Sequence, residues 1–459
     1  MADNTKYGNG LIPAADPVLD RAGLRSHKAV ISRRRLLGSG AALAAGLAVS
    51  ASAGTALAAE KSPRPRLALP APTGPYDIGT VSLHLVDHTR QDPWWPTAHS
   101  REIMISLWYP ARRVGRRPLA PWMPPGALAH HRAVTASRLE DMAQRLGLGE
   151  VEISLDGVDF PITHAQAGAP VEPPVDPYPV VLYSPGANTP RAEGTTLVED
   201  LASHGYVVLT IDHTYDAGQV EFPGGRVEPD RPNLDPDGLY SALKVRIADT
   251  RFVLDTLAAL NAGRTPDAGH HPLPAGLRGC LDLARIGMFG HSLGGATTAQ
   301  TMAHDGRISA GIDLDGHVIP TVSVAPPTPR ETVAELVGEV ATRIGDRPFM
   351  IMSSDGRGPD QLGVLMTGFW YKLRGWRRFL SITGSTHSSY TDDMQLFHQL
   401  SAAGIIPAAL VGERVDPNRA TDAQRTYIGA FFGLWLRSRD AHLLDGPSTR
   451  YPEVIFPSA

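Results

Sequence analysis

Residues 285–299 read Arg285-Ile-Gly-Met-Phe-Gly-His-Ser-Leu-Gly-Gly-Ala-Thr-Thr-Ala299. A short apolar run leads directly into a Gly-x-Ser-x-Gly pentapeptide, and small residues that suit a closely packed helix start follow it. A strand that turns at once into a helix forces the central Ser292 into a strained backbone conformation, and glycine on either side leaves room for the turn. The stretch therefore predicts a sharp turn that exposes the Ser292 hydroxyl above a sheet, beside a helix N-terminus.

Short apolar runs alternate with amphipathic stretches on both sides of this turn. The apolar runs are residues 102–109, 178–183, 206–211, 285–289, 308–314, 348–352 and 378–382, and the helical patterns are 195–203, 239–260, 332–344 and 422–436. Strands that are apolar on both faces and separated by helices predict a mostly parallel sheet covered on both sides. We therefore expect an α/β fold in one domain over residues 77–459, with a small hairpin around Gly224-Gly225.

A serine hydroxyl becomes a strong nucleophile when a histidine takes its proton and a carboxylate orients that histidine. After this type of turn the acid and then the histidine follow the serine, each behind a later strand. Of the histidines beyond Ser292, only His387 comes just after a late apolar run. Asp315 follows the run 308–314 and Asp355 follows the run 348–352, and the spacing alone leaves both open as the acid. Leu293, the residue after the serine, is expected to supply one backbone N–H for the reacting oxygen.

Residues 1–58 have the pattern of an export signal. Ser32-Arg-Arg-Arg-Leu-Leu37 precedes an uncharged stretch rich in Ala, Gly and Ser, and Ala56-Leu-Ala58 offers a signal-peptidase site. A cleaved signal is favoured over a retained membrane anchor, because such a composition gains little on entering lipid. The paired arginines resemble a twin-arginine signal. Residues 59–76, which contain five prolines, are expected to form a tether before the folded domain.

Composition disfavours several other classes of function. The net charge is −4 and the densest basic group after residue 60 is short, so no nucleic-acid partner is expected. Cys280 is the only cysteine, which excludes an internal disulfide. His130-His131 and His270-His271 lack companion ligands at helical spacing, so we expect solvated loop histidines, no metal and no cofactor. The aromatic residues 369–371 with Trp376 are expected to pack internally, with transient contact to a lipid interface as the alternative.

Eight spaced motifs resemble the plasma-type platelet-activating-factor acetylhydrolases and their bacterial relatives. They are Gly74-Pro-Tyr-Asp-Ile-Gly79, Val86-Asp-His-Thr89, Trp108-Tyr-Pro110, Tyr183-Ser-Pro-Gly-Ala-Asn188, Ile211-Asp-His213, Gly290-His-Ser-Leu-Gly-Gly295, Gly311-Ile-Asp-Leu-Asp315 and Gly384-Ser-Thr-His387. The resemblance implies an α/β-hydrolase fold and a site of Ser292, Asp315 and His387. It also implies that Ala187 supplies the second N–H donor, although Pro185 stands where the animal enzymes carry His.

The function implied by this resemblance is that of a secreted serine esterase. It would cleave short or oxidised acyl chains of phospholipids, or similar small esters, through an acyl-enzyme, without calcium. Residues 217–238 and 320–330 differ from the animal enzymes in length and composition, so their acyl-chain preference is not carried over. A general carboxylesterase, lipase or polyester hydrolase would share these residues. A non-catalytic binding protein on the same fold is the alternative from another class.

Overall fold

The apolar runs of the sequence form the strands of one large sheet. The computed structural model describes residues 64–112, 115, 117–231, 236–319 and 330–457. The strands are β1 Asp77–Gln91, β2 Ser100–Ala111, β3 Leu119–Pro121, β4 Ile162–Ala167, β5 Tyr178–Ser184, β6 Val207–Asp212, β7 Gln219–Phe222, β8 Arg226–Pro229, β9 Leu281–His291, β10 Ile308–Leu314, β11 Phe349–Ser354, β12 Arg377–Ile382 and β13 Val454–Ile455. The helices are α1 Pro125–Arg145, α2 Thr195–Ser203, α3 Pro236–Asn261, α4 Leu293–His304, α5 Arg330–Ile344, α6 Val364–Trp370, α7 Asp393–Ala402 and α8 Pro417–Arg437.

The sheet places its central strands side by side and parallel. Its order is β13-β12-β11-β10-β9-β5-β6-β2-β1-β4-β3, with β7 and β8 pairing separately. The strands from β6 through β5 and β9 to β12 are parallel neighbours, whereas β2 is antiparallel to both β6 and β1. Parallel strands end at one edge of the sheet, so the loops after β5, β9, β10 and β12 lie together.

Burial explains why these strands are apolar on both faces. Every residue of β5, β6 and β11 is buried. One hydrophobic cluster covers each side of the sheet: Leu182 and Met288 belong to the first, and Tyr183 and Phe289 to the second. Successive residues of a strand point to opposite faces, so both faces need apolar side chains. The expected parallel sheet covered on both sides is confirmed.

Several predicted elements match the structure closely. Helix α2 and strand β10 have the predicted ends, and β7 and β8 form the predicted hairpin around Gly224-Gly225. Strand β1 and helix α1 had no predicted counterpart. Helix α1 buries His131 and Thr135 as well as Leu139, so its inner face lacks an apolar stripe that a pattern search would find. The described residues belong to one compact unit, Lys61–Ala459.

Residues 64–76 differ from the expected tether. Leu67 and Leu69 are buried in a hydrophobic cluster with Leu400, and Arg425 donates hydrogen bonds to the carbonyls of Pro70 and Ala71 at 2.7 and 2.9 Å. The two leucines and the two carbonyls thus hold this segment against the domain. The predicted signal at residues 1–58 lies outside the described residues. Within the described part of the chain, no helix is both long enough and apolar enough to cross a membrane.

Candidate active site

Ser292 occupies the turn between β9 and α4. Its φ of 54° and ψ of −119° lie in a region that residues other than glycine rarely adopt, at a cost of about 1–3 kcal/mol. The turn is held in place because Ser292 N donates to Leu314 O of the neighbouring strand at 2.9 Å. A β-carbon on Gly290 or Gly294 would overlap backbone atoms. The glycines of the pentapeptide are therefore required by the close approach of the chain around Ser292.

Asp315 and His387 come together at the same edge of the sheet. His387 opens the 3-10 helix His387–Tyr390 after β12, and its Nδ1 lies 2.7 Å from Asp315 Oδ2. Ser354 also holds the Asp315 carboxylate, through its N–H at 2.8 Å and its hydroxyl at 3.1 Å. Burial acts to raise the pKa of Asp315, but the hydrogen bond and charge of His387 with the Ser354 N–H lower it below its ordinary value. Asp315 is therefore an ionised partner for an imidazolium.

Asp355, the alternative acid, lies elsewhere. Its side chain is about half exposed and pairs with Arg414 at 2.7 Å, on the solvent side of the loop after β11. No hydrogen bond or ion pair joins Asp355 to His387 among the described contacts. Between the two carboxylates that the sequence left open, the structure brings only Asp315 to His387.

His291, which precedes Ser292, supports His387 from behind. Its Nε2 lies 2.9 Å from the backbone oxygen of His387, and the two rings lie 4.5 Å apart between centroids. Burial first, and then the charge of His387, lower the pKa of His291 to about 3. A neutral His291 therefore donates from Nε2 and anchors the backbone of His387.

Asp313 adds a second buried carboxyl next to the site. Its Oδ1 accepts a hydrogen bond from Gly316 N at 2.8 Å, while its Oδ2 has no partner among the described residues. Burial, followed by the negative charge of Asp315, raises the pKa of Asp313 to about 7. Asp313 and Asp315 therefore differ in character, because the single N–H of Gly316 does not offset the burial of Asp313, whereas His387 and Ser354 together favour the ionised form of Asp315.

The two predicted N–H donors belong to segments that lie beside Ser292. A β-carbon added to Gly186 would lie 3.4 Å from Ser292 Cβ, so the loop after β5 passes directly beside the serine. Ala187 packs in a small apolar cluster that contains Leu293 together with Leu239 and Trp94. The loop after β5 and the start of α4 thus meet at Ser292, as an oxyanion site requires. The role of the Leu293 and Ala187 N–H groups as oxyanion donors stays a prediction.

The residues that build this site lie within the part of the chain that matches a known family. The family model described as platelet-activating factor acetylhydrolase, isoform II, matches residues 62–221 and 241–433. The chain belongs to this family. The predicted fold and the predicted enzyme class, a carboxylic ester hydrolase, are thereby confirmed.

Individual relatives agree with this family membership. A probable 1-alkyl-2-acetylglycerophosphocholine esterase of Arthroderma benhamiae is 27% identical over 413 residues, which cover 84% of this acetylhydrolase-family chain and 93% of the fungal protein. The platelet-activating factor acetylhydrolase of Cavia porcellus is 25% identical and is matched over 71% of this chain and 69% of its own. The solved structure of a ferulic acid esterase from Streptomyces cinnamoneus is 34% identical, covers 85% of this chain and 99% of its own, and has a TM-score of 0.62.

One group of side chains in this family member has metal-ligand character. Atoms of His131, Glu193 and Asp393, all buried, lie within 4.8 Å of one another. Arg138 Nη2 already donates to Asp393 Oδ2 at 2.7 Å, so a guanidinium charge lies where a cation would otherwise balance the carboxylates. The expectation of a solvated His131 was wrong, because it lies on the inner face of α1. His271 is mostly exposed and pairs with Asp267, and His270 is also exposed.

Sequence reasoning missed three residues that hold this site. Ser354 contacts the acid, Asp313 closes the turn after β10, and Arg246 of α3 contacts the loop that carries Ala187. Ser354 and Arg246 are far from Ser292 in sequence, and no motif marks them. Asp313 lies within the motif Gly311-Ile-Asp-Leu-Asp315, but its burial follows only from the packing of α4 against β10. The aromatic residues Phe369 and Trp370 pack internally as expected, whereas Tyr371 is exposed.

Proposed function

We propose that this chain is a secreted serine esterase in which Ser292, His387 and Asp315 carry out the reaction. The observation that supports this most is the 2.7 Å contact of His387 Nδ1 with the buried Asp315, at the sheet edge where Ser292 adopts its strained turn. Asp315 orients the imidazole so that Nε2 exchanges the proton of the serine hydroxyl. Leu293 and Ala187 supply the N–H groups for the oxyanion.

The proposed reaction has two halves. Ser292 Oγ attacks the ester carbonyl carbon while His387 takes the hydroxyl proton, and the carbonyl oxygen becomes an oxyanion facing the two N–H groups. The bond to the alcohol then breaks, and His387 returns the proton to the leaving oxygen. Water repeats these steps on the acyl-enzyme and frees the acid and Ser292. Every proton moves between Ser292, His387, the ester and water, so the proposed reaction uses no cofactor or metal.

The proposed substrate is a phospholipid with a short or oxidised acyl chain. Family membership supports the phospholipid class, as do the relatives named as acetylglycerophosphocholine esterase and platelet-activating factor acetylhydrolase. The partly buried Trp94, Ala187 and Leu239 pack against the small apolar cluster that contains Leu293, next to the serine.

A simple carboxylic ester is the second candidate. The observation that favours it is the ferulic acid esterase, which shares 34% identity along nearly its whole length. Both candidates use the same catalytic residues and differ in the alcohol and acyl groups they accept. Substrate preference therefore decides between them.

A labelling experiment and a substrate panel test these proposals. A fluorophosphonate probe should label wild-type protein at Ser292 and leave Ser292→Ala unlabelled. Hydrolysis would then be compared for 2-acetyl, 2-butyryl and 2-palmitoyl glycerophosphocholines and for methyl ferulate. Preference for the short phospholipid chains supports the proposal, and preference for methyl ferulate supports the second candidate. A wild type that takes no label and cleaves none of these esters would instead favour a binding protein.

Export is proposed through the predicted signal at residues 1–58, by the twin-arginine route. The Ser-Arg-Arg-Arg-Leu-Leu order and the uncharged stretch after it support this. A route that exports folded protein suits a chain with one cysteine, which needs no oxidising compartment to form internal disulfides.

A further inference from the structure

Arg246 lies buried beneath the loop that carries Ala187. The side chain belongs to α3 and has no exposed surface. One side of its guanidinium pairs with Asp216: Nη2 donates to Oδ1 at 2.9 Å, and Nε donates to Oδ2. A buried ion pair gives little net stability over apolar residues of the same volume.

The other side of the guanidinium contacts the backbone of the loop. Arg246 Nη2 donates to Gly186 O at 2.8 Å, and Nη1 donates to Pro185 O. Asp216 acts on the same loop a second time, because its backbone oxygen accepts from Asn188 N at 2.9 Å. The ion pair thus holds the loop on both sides of Ala187, through Gly186 O and Asn188 N.

The contact with Gly186 O also determines the direction of the Ala187 N–H, because both groups belong to one planar peptide unit. In a planar trans peptide the carbonyl of one residue and the N–H of the next point in opposite directions. Gly186 O points toward Arg246, so the N–H of Ala187 in the same peptide must point away from it. The hydrogen bond from Arg246 therefore fixes the direction of the N–H that is proposed to hold the oxyanion.

We propose that Arg246 and Asp216 are positioning residues for the oxyanion site, which act by fixing the Gly186–Ala187 peptide. This inference rests on the proposed function, since it assigns a role in ester hydrolysis. The rigid, planar fork of arginine binds Asp216 and two successive carbonyls at once, whereas a lysine ammonium is a compact point charge that does not reproduce this fork. A donor held in advance lowers the barrier without reorganising during the reaction.

Arg246→Lys and Arg246→Met test the role through the transition state. With p-nitrophenyl acetate, kcat should fall by about 10²-fold, toward the effect of losing one oxyanion donor, while KM changes little. A trifluoromethyl ketone, which forms a covalent oxyanion on Ser292, should lose affinity in step with kcat/KM. Asp216→Asn should show the same pattern more weakly, because an amide keeps the shape of the ion pair.

Arg425 provides a matched control, since it is also buried and donates to two successive carbonyls, those of Pro70 and Ala71. Arg425→Met should lower the thermal midpoint while leaving kcat and the ketone affinity of the folded protein unchanged. If Arg246→Met does not fold, the kcat and ketone affinity of Arg246→Lys test the positioning role of Arg246. An active wild type together with an Arg246→Lys variant that keeps kcat and ketone affinity overturns this inference alone. A wild type without esterase activity or label overturns the proposed function, and this inference with it.

Discussion

His387 Nδ1 lies 2.7 Å from Asp315 Oδ2, although the two residues follow strands that are separated by β11. Asp315, directly after β10, has a positive φ of 52°, and its carboxylate reaches past the end of β11 to His387. Ser354, at the end of the intervening strand, contacts both oxygens of Asp315. The strand between acid and histidine thus supplies the groups that hold the acid in place.

Asp315→Asn should therefore abolish most of the activity. An amide keeps the shape but removes the charge that stabilises the imidazolium, and it can impose the wrong tautomer on His387. We expect kcat to fall by about 10⁴-fold, as in the serine-protease example of this effect. Asp355→Asn is the matched control, because it removes a surface pair with Arg414 and should cost little. Ester turnover and melting curves are compared for both, and an inactive Asp355→Asn beside an active Asp315→Asn would reverse the assignment.

Substitutions at Ser292 should affect the stability of the protein differently from its activity. Ser292→Ala and Ser292→Gly should both lose turnover by about 10³-fold or more, because neither has a nucleophile. Their stabilities should differ, since only glycine adopts the φ of 54° and ψ of −119° without strain. Allowing for the greater freedom of glycine in the unfolded chain, we expect Ser292→Gly to be more stable than Ser292→Ala by about 1 kcal/mol. Denaturant titrations measure the difference, and a less stable glycine variant would argue against a strained turn.

The twin-arginine prediction is tested by replacing Arg33 and Arg34 with Lys together. Secretion should stop, and folded, active enzyme should accumulate inside the cell. The control replaces Lys6 and Lys28 with Arg. It exchanges the same two residue types outside the paired arginines without changing the net charge, so secretion should be unchanged. Unimpaired secretion of the double-lysine protein would assign the signal to the general secretory route.

The sequence predicted the parallel core of the fold well because its strands are short, apolar and separated by amphipathic helices. It predicted His387 because position after a late strand left a single candidate. It could not separate Asp315 from Asp355, since each ends an apolar run and the choice depends on where the side chain turns. Only the resemblance favoured Asp315, and the contact with His387 now supports that choice.

Other features escaped the sequence because long-range packing determines them. Residues 64–76 have the composition of a tether, yet they lie against the domain through Arg425, more than 300 residues away. His131 was expected to be a solvated loop residue because the helix α1 could not be recognised from the sequence. The buried face of α1 carries polar side chains as well as apolar ones, so the helix lacks a clear apolar stripe. Arg246 carries no motif, and its importance follows from two backbone carbonyls that it reaches across the fold.

The buried carboxyl of Asp313 should make the free energy of unfolding depend on pH. Burial raises the pKa of this carboxyl from an ordinary value near 3.8 to about 7, so between these values the native protein holds a proton that the unfolded chain has released. The stability contributed by this group therefore falls as pH rises through that range, by about 1.4 kcal/mol for each unit of pKa difference, and is constant above it.

Asp313→Asn keeps the acceptor for Gly316 N but removes the titration. Other groups titrate too, but they cancel when the variant is compared with wild type at each pH. We expect the free energy of unfolding of Asp313→Asn, relative to wild type, to increase from pH 5 to pH 8. A difference that does not change with pH would mean that Asp313 is ionised in the folded protein throughout this range.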